Sequence, residues 1–170
     1  MLFDGCGLDL GPPSHRQLAQ PTSRVEGVKI EVIGTNVVEL QRRMEASAFT
    51  AWLGIRIRQI HADHVEFVVP WRDEFIGTPH LKRAHGGLLA ALVDSAAGYT
   101  LIARTGTSLS TVDLRVDFHR AAVAGQLTLK GTPLHAGRQI CCVDVEVLDV
   151  AGSLVASGRG TFYLPGGGKG

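Results

Sequence analysis

The sequence predicts an α+β protein in which one long buried helix is wrapped by a curved antiparallel sheet. Residues 85–103 form an apolar run of helical length in which Asp94 is the one charged side chain. After Gly106, apolar and polar residues alternate with a period of two, as they do in half-buried strands. A helix that is apolar on every face needs cover on every side, which a curved sheet and a second subunit would supply.

The composition fits one globular domain. The chain has 170 residues, of which 45% are hydrophobic and 19% charged, with a formal net charge of +1. This length allows a real hydrophobic core. Without a run of Lys and Arg, the sequence argues against a nucleic-acid partner held through phosphates and against a polybasic membrane anchor.

The cysteines indicate a cytoplasmic protein. Cys6, Cys141 and Cys142 have neither the even count of a disulfide framework nor the spacing of a zinc site. The N-terminus has an early acid and lacks the basic and apolar regions of a secretory signal. We therefore expect the reducing cytoplasm as the location.

The chain divides into an extension, one domain and a tail. Residues 1–35 carry Gly, Pro and Ser with little periodicity, so we expect a partly flexible N-terminal extension. Within it, residues 28–33 alternate and are a candidate edge strand. Residues 36–164 are expected to form the domain, and residues 165–170 a flexible tail.

The domain is expected to begin with a helix and a hairpin. Asn36 followed by Glu39 resembles a capping box, and the apolar spacing that follows predicts an amphipathic helix over 37–51. Residues 55–69 then alternate on both sides of the turn HADH at 61–64, which predicts a β-hairpin.

A loop over 72–84 leads into the long apolar helix, predicted over 85–103. Its length is also that of a membrane span. Against that alternative, the segment is rich in Ala and Gly, and Asp94 would lie at mid-membrane at a cost of roughly 2.5–3.5 kcal/mol. A helix buried inside a globular protein is the favoured interpretation.

Four long strands are predicted after Gly106. In the first, the even-numbered residues of 112–118 are apolar and are expected to face one side, while the odd-numbered residues of 111–119 are polar and face the other. Three further alternating segments are separated by tight turns, which predicts an antiparallel meander. Cys141 and Cys142 would then point to opposite faces.

A carboxylate in an apolar helix needs an explanation. Burial disfavours the charged form, so Asp94 is either a structural acid, paired with an arginine or lying at a polar interface, or a group adapted for proton transfer, and the residues alone leave both readings open. His85, Gly86 and Gly87 open the same helix, where free backbone N–H groups and the positive end of the helix dipole gather. The bare backbone at Gly86 suits an oxyanion or a thioester carbonyl, although a flexible helix start is the alternative.

The spacing of these two features predicts a dimer. Gly86 and Asp94 are eight residues apart, which is about 12 Å along a helix. Gly86 and Asp94 of one helix therefore cannot both contact the same reacting carbonyl. Two antiparallel helices related by a two-fold axis would place Gly86 of one chain near Asp94 of the other, giving two equivalent sites in an obligate homodimer.

The order of the motifs resembles a known family. HGG at 85–87, six residues, Asp94, the strand STVDLRVDFHRAA at 110–122 and HAGR at 135–138 are similar to the PaaI-like hotdog-fold thioesterases of the 4-hydroxybenzoyl-CoA thioesterase superfamily. The resemblance covers roughly residues 37–164. It implies the hotdog fold and the hydrolysis of acyl-CoA thioesters without metal or cofactor. It also implies active sites at the interface of a homodimer, and two such dimers can associate into a homotetramer.

The resemblance also implies roles for four residues. Asp94 matches the catalytic acid, which activates water or attacks directly, and Gly86 matches the residue whose N–H polarises the thioester carbonyl. His85 belongs to the same loop and is expected to fix its geometry. Thr111 matches a Ser or Thr that holds the water or the acid.

Substrate contacts are implied at six further positions. These are Pro79, His80, Gly87, Arg120, Gly137 and Arg138. Arg120 and the Gly137–Arg138 pair lie where members contact the CoA nucleotide and phosphates, although solvated strand-end arginines are equally compatible with the sequence. Many members carry Asn or Gln six residues before the HGG histidine, whereas this chain has Pro79 there, with His80 as a candidate substitute.

Two other functions stay open. One is a hotdog hydratase or dehydratase that acts on enoyl or hydroxyacyl thioesters. The other is a non-catalytic acyl-CoA-binding module, which the absence of the amide side chain keeps open. No metal is expected, because His61, Asp63 and His64 in the predicted turn do not provide the four ligands that structural zinc normally takes.

Overall fold

A computed structural model of the chain describes residues 36–165. The extension at 1–35, its candidate strand and all but the first residue of the tail lie outside the described residues. The described part contains three helices, two short 3₁₀ turns and eight strands. They are α1 (Val37–Ala46), α2 (Ala48–Leu53), β1 (Arg56–Ile60), β2 (Val65–Val69), the 3₁₀ turn Asp73–Phe75, β3 (Ile76–Thr78), the 3₁₀ turn Pro79–Leu81, β4 (Arg83–Ala84), α3 (Gly86–Thr105), β5 (Ser110–Phe118), β6 (Leu127–Ala136), β7 (Ile140–Leu148) and β8 (Leu154–Tyr163).

Six strands form one antiparallel sheet in the order β1-β2-β6-β7-β8-β5. The predicted hairpin is confirmed as β1–β2. The predicted meander is correct for β6, β7 and β8 but wrong for β5, which pairs with β8 at the far edge. Alternation of apolar and polar residues in a strand indicates which side chains face the core but contains no information on strand order. The pairing of β5 with β8 could therefore not be predicted from the pattern.

The predicted helix at 37–51 is two helices. Asn36 caps α1 by accepting the Glu39 N–H at 2.9 Å, as predicted. Ser47 then adopts an extended conformation (φ −85°, ψ 117°), and α2 starts at the next residue. The hydroxyl groups of Ser and Thr can replace backbone hydrogen bonds of a helix. Here the Thr50 hydroxyl donates to the Met44 carbonyl across the break. The break turns α2 so that Thr50 and Leu53 face the core.

Helix α3 is buried along most of its length and packs on the sheet. His85 caps its start and Gly106, in the left-handed region at φ 67°, caps its end. The helix approaches the strands closely at Gly158, where an added Cβ would lie 2.7 Å from Val93 Cγ1 and 2.5 Å from the Arg115 carbonyl oxygen. Glycine at this position is therefore a packing requirement, because even one methyl group would push the helix off the sheet.

The apolar length of α3 is explained by this packing. By length and composition the helix meets the criteria for a membrane span, with a mean hydropathy of 1.4 over its most apolar window. Of that window, 61% is buried inside the protein, as expected for a core helix. The interpretation of residues 85–103 as a helix enclosed by its own fold agrees with the structure.

Candidate active site

The first turn of α3 presents backbone N–H groups at an exposed surface. The His85 side chain accepts the Gly87 N–H through Nδ1 at 2.9 Å, and the His85 N–H donates to the Phe75 carbonyl at 2.8 Å. Because Nδ1 is the acceptor, the proton of the neutral ring sits on Nε2. As the first residue of the helix, Gly86 has no intrahelical acceptor for its own N–H, which leaves this group for a ligand.

Gly77 supports this helix start and was missed by the sequence analysis. A Cβ at Gly77 would lie 2.7 Å from His85 Cβ and 2.8 Å from His85 Cα. Strand β3 can therefore pass behind His85 only because residue 77 has no side chain. Gly77 lies in the segment predicted to be a loop, and the sequence there does not indicate that it contacts His85.

Asp94 lies half-buried on the middle of α3 and accepts a hydrogen bond from Thr111. The Thr111 Oγ1 donates to Asp94 Oδ1 at 3.0 Å. Among residues 36–165, no Lys, Arg or His nitrogen lies within ion-pair distance of the Asp94 carboxylate. The structural alternative for this acid, a buried pair with an arginine, is therefore not found among residues 36–165.

A β-bulge brings Thr111 to the helix side of the sheet. The register of β5 against β8 shifts between Thr111 and Asp113, which leaves Val112 without a partner and 60% exposed. Beyond the bulge, Leu114 and Val116 pack against the core. The prediction that Thr111 would face away from these residues is wrong, because the extra residue reverses the alternation before it.

The two halves of the expected site lie at opposite ends of β5. Thr111, near the start of the strand, contacts Asp94 in the middle of α3. Phe118, at the end of the strand, lies beside the helix start, with its ring 3.5 Å from the position of a Cβ at Gly86. Within one chain, Gly86 and Asp94 are thus separated by about 12 Å along the helix, and the fold does not bring them together.

Strand β5 forms one edge of the six-stranded sheet. One side of β5 pairs with β8, and in the described part of the chain its other side has no strand beside it. Val112 and Phe118 are 60% and 56% exposed along this edge. A long exposed edge with apolar side chains is a surface on which another strand can pair.

An apolar pocket of about 240 Å³ opens beside the first turn of α3. The aromatic side chains Phe49, Trp52 and Phe75 form one wall, and Leu88 and Ala91 of the helix form another. His85, Gly87, Leu53 and Glu74 complete the lining. The pocket therefore lies between the start of α3 on one side and α2 with the 3₁₀ turn Asp73–Phe75 on the other.

Pro79 and His80 do not reach this pocket. Both residues are exposed in the 3₁₀ turn Pro79–Leu81, between the short strands β3 and β4, and neither lines the pocket. The predicted loop at 72–84 therefore has structure of its own, a pair of short strands closed by a 3₁₀ turn.

The arginines expected at the nucleotide also lie at opposite ends of β5. Arg120 is exposed two residues after Phe118, next to the Gly86 end of the strand. Gly137 and Arg138 form the turn between β6 and β7, where the Gly137 N–H donates to the Ile140 carbonyl at 2.9 Å. Ile140 is level with Tyr163 on β8 and hence with Ser110 on β5, which places Arg138 near the Asp94 end.

Comparisons with known proteins agree with this fold. A family model described as the thioesterase superfamily matches residues 81–156. The proofreading thioesterase EntH of Cronobacter turicensis is 36% identical over 110 residues, which cover 63% of this chain and 78% of EntH. The medium/long-chain acyl-CoA thioesterase YigI of Escherichia coli K12 is 23% identical over 131 residues, covering 68% of this chain and 84% of YigI. A crystal structure from the thioesterase superfamily superposes with a TM-score of 0.72 at 37% identity, covering 75% of this chain and 96% of that one.

Proposed function

The chain belongs to the thioesterase superfamily, has its hotdog fold and is a thioester hydrolase, and we propose that it hydrolyses acyl-CoA thioesters at a site shared by two subunits. The observation that carries the proposal is the Asp94 carboxylate, which has no cationic partner among the described residues and is held by Thr111 beside the free edge of β5. The protein would act in the cytoplasm as a homodimer or a dimer of dimers.

Asp94 would act on the carbonyl carbon of the thioester. As a general base, the carboxylate takes a proton from water while the water oxygen attacks the carbonyl carbon. As a nucleophile, one carboxylate oxygen attacks directly, and water then hydrolyses the anhydride. In both routes the carbon–sulfur bond breaks, the CoA sulfur leaves as thiolate and takes up a proton, and the acyl group leaves as the free acid.

Gly86 would stabilise the oxyanion. The N–H of Gly86 is the first of helix α3 and carries the positive end of the helix dipole. A donor of this kind aimed at the developing negative charge is worth roughly 10²–10³ in kcat. The Gly87 N–H is already bonded to His85, so Gly86 supplies the open donor.

The two groups would meet across paired β5 strands. Antiparallel pairing of two β5 edges about a two-fold axis near Leu114 and Arg115 would set Thr111 of one chain opposite Phe118 of the other. Since Thr111 marks the Asp94 end and Phe118 the Gly86 end, the interface would assemble two equivalent sites, each from both chains.

The apolar pocket beside Gly87 would hold the acyl group. Its aromatic and aliphatic lining suits a hydrocarbon or aryl chain of moderate size, with Glu74 as the one acidic side chain in the wall. The relative YigI is an acyl-CoA thioesterase, which supports CoA as the thiol. The same pairing of β5 strands that joins the catalytic groups would bring Arg120 of one chain towards Arg138 of the other, where they would face CoA phosphates.

A second candidate is acyl-CoA binding as the main function, with slow turnover. Pro79 stands where many relatives have an amide, and the neighbouring His80 is exposed and outside the pocket. An amide at that position would orient the reacting carbonyl, so its absence leaves binding intact while reducing hydrolysis. Tight acyl-CoA binding with slow release of free CoA would favour this function.

The test is hydrolysis of a panel of short-chain, medium-chain and aromatic acyl-CoA substrates, followed by thiol release. We expect turnover by the wild type and a loss of roughly 10²–10⁴-fold in Asp94→Asn, as for removal of a catalytic base or nucleophile. Asp113→Asn, which changes an exposed acid two residues from Thr111, is the matched control and should keep wild-type turnover. Full activity in Asp94→Asn would refute the assignment of this carboxylate.

A further inference from the structure

A cluster of three possible metal ligands lies at the β1–β2 turn, which the catalytic proposal does not use. His61 and His64 belong to the turn, and Glu66 lies on the first half of β2. The Glu66 Oε1 lies 3.5 Å from His64 Nε2 and 3.9 Å from His61 Nε2. Their ligand atoms all lie within 4.8 Å of one another, and all three residues are partly buried.

His61 has a buried nitrogen without a partner. Its Nε2 is shielded from solvent and makes no hydrogen bond to any of residues 36–165. A buried polar atom of this kind normally has a partner, so an unsatisfied ring nitrogen points to a missing ligand. The nitrogen is aimed at the same carboxylate oxygen that faces His64.

His64 and Glu66 are both oriented by a second neighbour. The His64 Nδ1 is 2.7 Å from Asp63 Oδ1, so Nδ1–H donates a hydrogen bond to the carboxylate and Nε2 keeps its lone pair, directed towards Glu66. The other oxygen of Glu66, Oε2, faces Arg58 Nε at 4.0 Å, which leaves Oε1 for the imidazoles. A carboxylate behind a ligating histidine is the common second layer of metal sites.

We propose that His61 Nε2, His64 Nε2 and Glu66 Oε1 bind one divalent transition-metal ion of the zinc class, with water as the fourth ligand. Two imidazoles and a carboxylate with an open position are a ligand set that Zn²⁺ accepts. Bonds of about 2.0–2.1 Å in a tetrahedron separate ligand atoms by roughly 3.3 Å, so the pairs at 3.5 and 3.9 Å need to close by less than 1 Å. The rings are stacked at 4.1 Å with 12° between their planes, so binding rotates them apart to aim both lone pairs at the ion.

The position of the cluster indicates a structural role for the ion. Arg104, near the end of α3, donates to the carbonyls of His61 at 3.2 Å and Ala62 at 2.6 Å and so already holds this turn against the helix. Arg104 lies 10 residues beyond Asp94 and 18 beyond Gly86, or about 15 and 27 Å along the helix, which separates the ion from both proposed thioester sites. An ion here would link the turn to β2 and stabilise the edge strand β1 without taking part in hydrolysis.

The test uses the full-length protein, freed of metal with a chelator and titrated with Zn²⁺ by calorimetry. We expect one equivalent to bind to the wild type and to be lost in both His61→Ala and His64→Ala. Asp63→Asn should weaken binding by about 10- to 100-fold through misorientation of His64. The control His119→Ala removes an exposed histidine of another region and should bind as the wild type does.

A Co²⁺ spectrum and thermal melting test whether the ion binds through these nitrogen and oxygen ligands. Co²⁺ should give a visible ligand-field spectrum without a thiolate charge-transfer band, and Zn²⁺ should raise the melting temperature of the wild type but of neither alanine variant. Circular dichroism in chelator should show all variants folded, and their thioester turnover in chelator should equal that of the wild type. Absence of wild-type binding, an unchanged stoichiometry in His64→Ala, or a thiolate band would each overturn the proposal.

Discussion

The Thr111 hydroxyl donates to the Asp94 carboxylate at 3.0 Å, joining the edge strand β5 to the middle of the core helix. Thr111 itself is exposed, so the carboxylate is held at the open edge of the sheet and is reached from outside the chain. A carboxylate fixed in this way is poised to act on a group supplied at the edge, which is where a second subunit would pair. The bond therefore connects the chemistry of Asp94 to the proposed assembly.

Removal of the Thr111 hydroxyl should reduce turnover and leave the fold intact. Thr111→Val keeps the branched shape but loses a hydrogen bond to a charged group, which is worth about 1.5–3 kcal/mol, so kcat should fall roughly 10- to 100-fold. Thr111→Ser keeps the hydroxyl and should stay within a few-fold of the wild type. Steady-state kinetics on the best substrate of the panel measures both, and equal rates for Val and Ser would show that the hydroxyl has no part in the reaction.

Gly77 is expected to control activity from behind the site. Gly77→Ala would put a methyl group 2.7 Å from His85 Cβ and so displace the cap of α3 together with the Gly86 N–H. We expect a drop in kcat of at least 10-fold together with a lower melting temperature, because both backbone segments must move.

Gly98→Ala is the matched control for this substitution. Gly98 lies inside α3, and its added methyl group would meet Phe162 at 3.6 Å, an ordinary contact distance. Alanine also has the higher helix propensity, so this variant should be as stable as the wild type or more so, with unchanged kcat. Equal effects of the two substitutions would contradict the assigned role of Gly77.

The apolar pocket should set the preferred length of the acyl group. Ala91→Phe fills the pocket from the helix side, and Trp52→Ala removes an aromatic wall. Since one methylene in an apolar site is worth about 1–3 kcal/mol, kcat/KM should shift at least 10-fold towards shorter chains in the first variant and towards longer chains in the second. Val38→Ala, an exposed apolar position outside the pocket, should leave the chain-length profile unchanged. A profile that no pocket substitution moves would place the acyl group elsewhere.

The sequence was sufficient to predict the core helix and the position of its functional groups along the chain. The apolar run, the His85 cap and Gly106 mark α3 to within two residues, because apolar periodicity and caps are local properties. The distance from Gly86 to Asp94 follows from helix geometry alone. These features needed no knowledge of what packs against them.

Features that depend on register were not predictable. The bulge at Val112 reverses the side on which Thr111 lies, and nothing in an alternating sequence marks where one residue is left out of the ladder. Ser47 ends α1 because of the Thr50 hydroxyl, a contact with no signal in the apolar spacing. Glu66 joins His61 and His64 through the pairing of β1 with β2, so the sequence pointed to His61, Asp63 and His64 in one turn and missed Glu66.

Gly86→Pro provides a variant that removes one N–H with little disturbance. Proline is favoured at the first position of a helix, and His85 has the extended conformation (φ −68°, ψ 134°) that a following proline requires. Gly86→Ala adds a Cβ in the same place, 3.5 Å from the Phe118 ring, but keeps the N–H. The ratio of their kcat values should be roughly 10²–10³, the contribution of one oxyanion donor.

The most direct test of the shared site mixes two inactive variants. Asp94→Asn and Gly86→Pro would be unfolded together at equal concentration, refolded and assayed for thioester hydrolysis beside each variant refolded alone. Random assembly gives half mixed dimers, each with one site that has both intact groups, so about one quarter of wild-type activity should return. If Asp94 and Gly86 act within a single chain, no mixed dimer contains an intact site, and the mixture would be as inactive as its components.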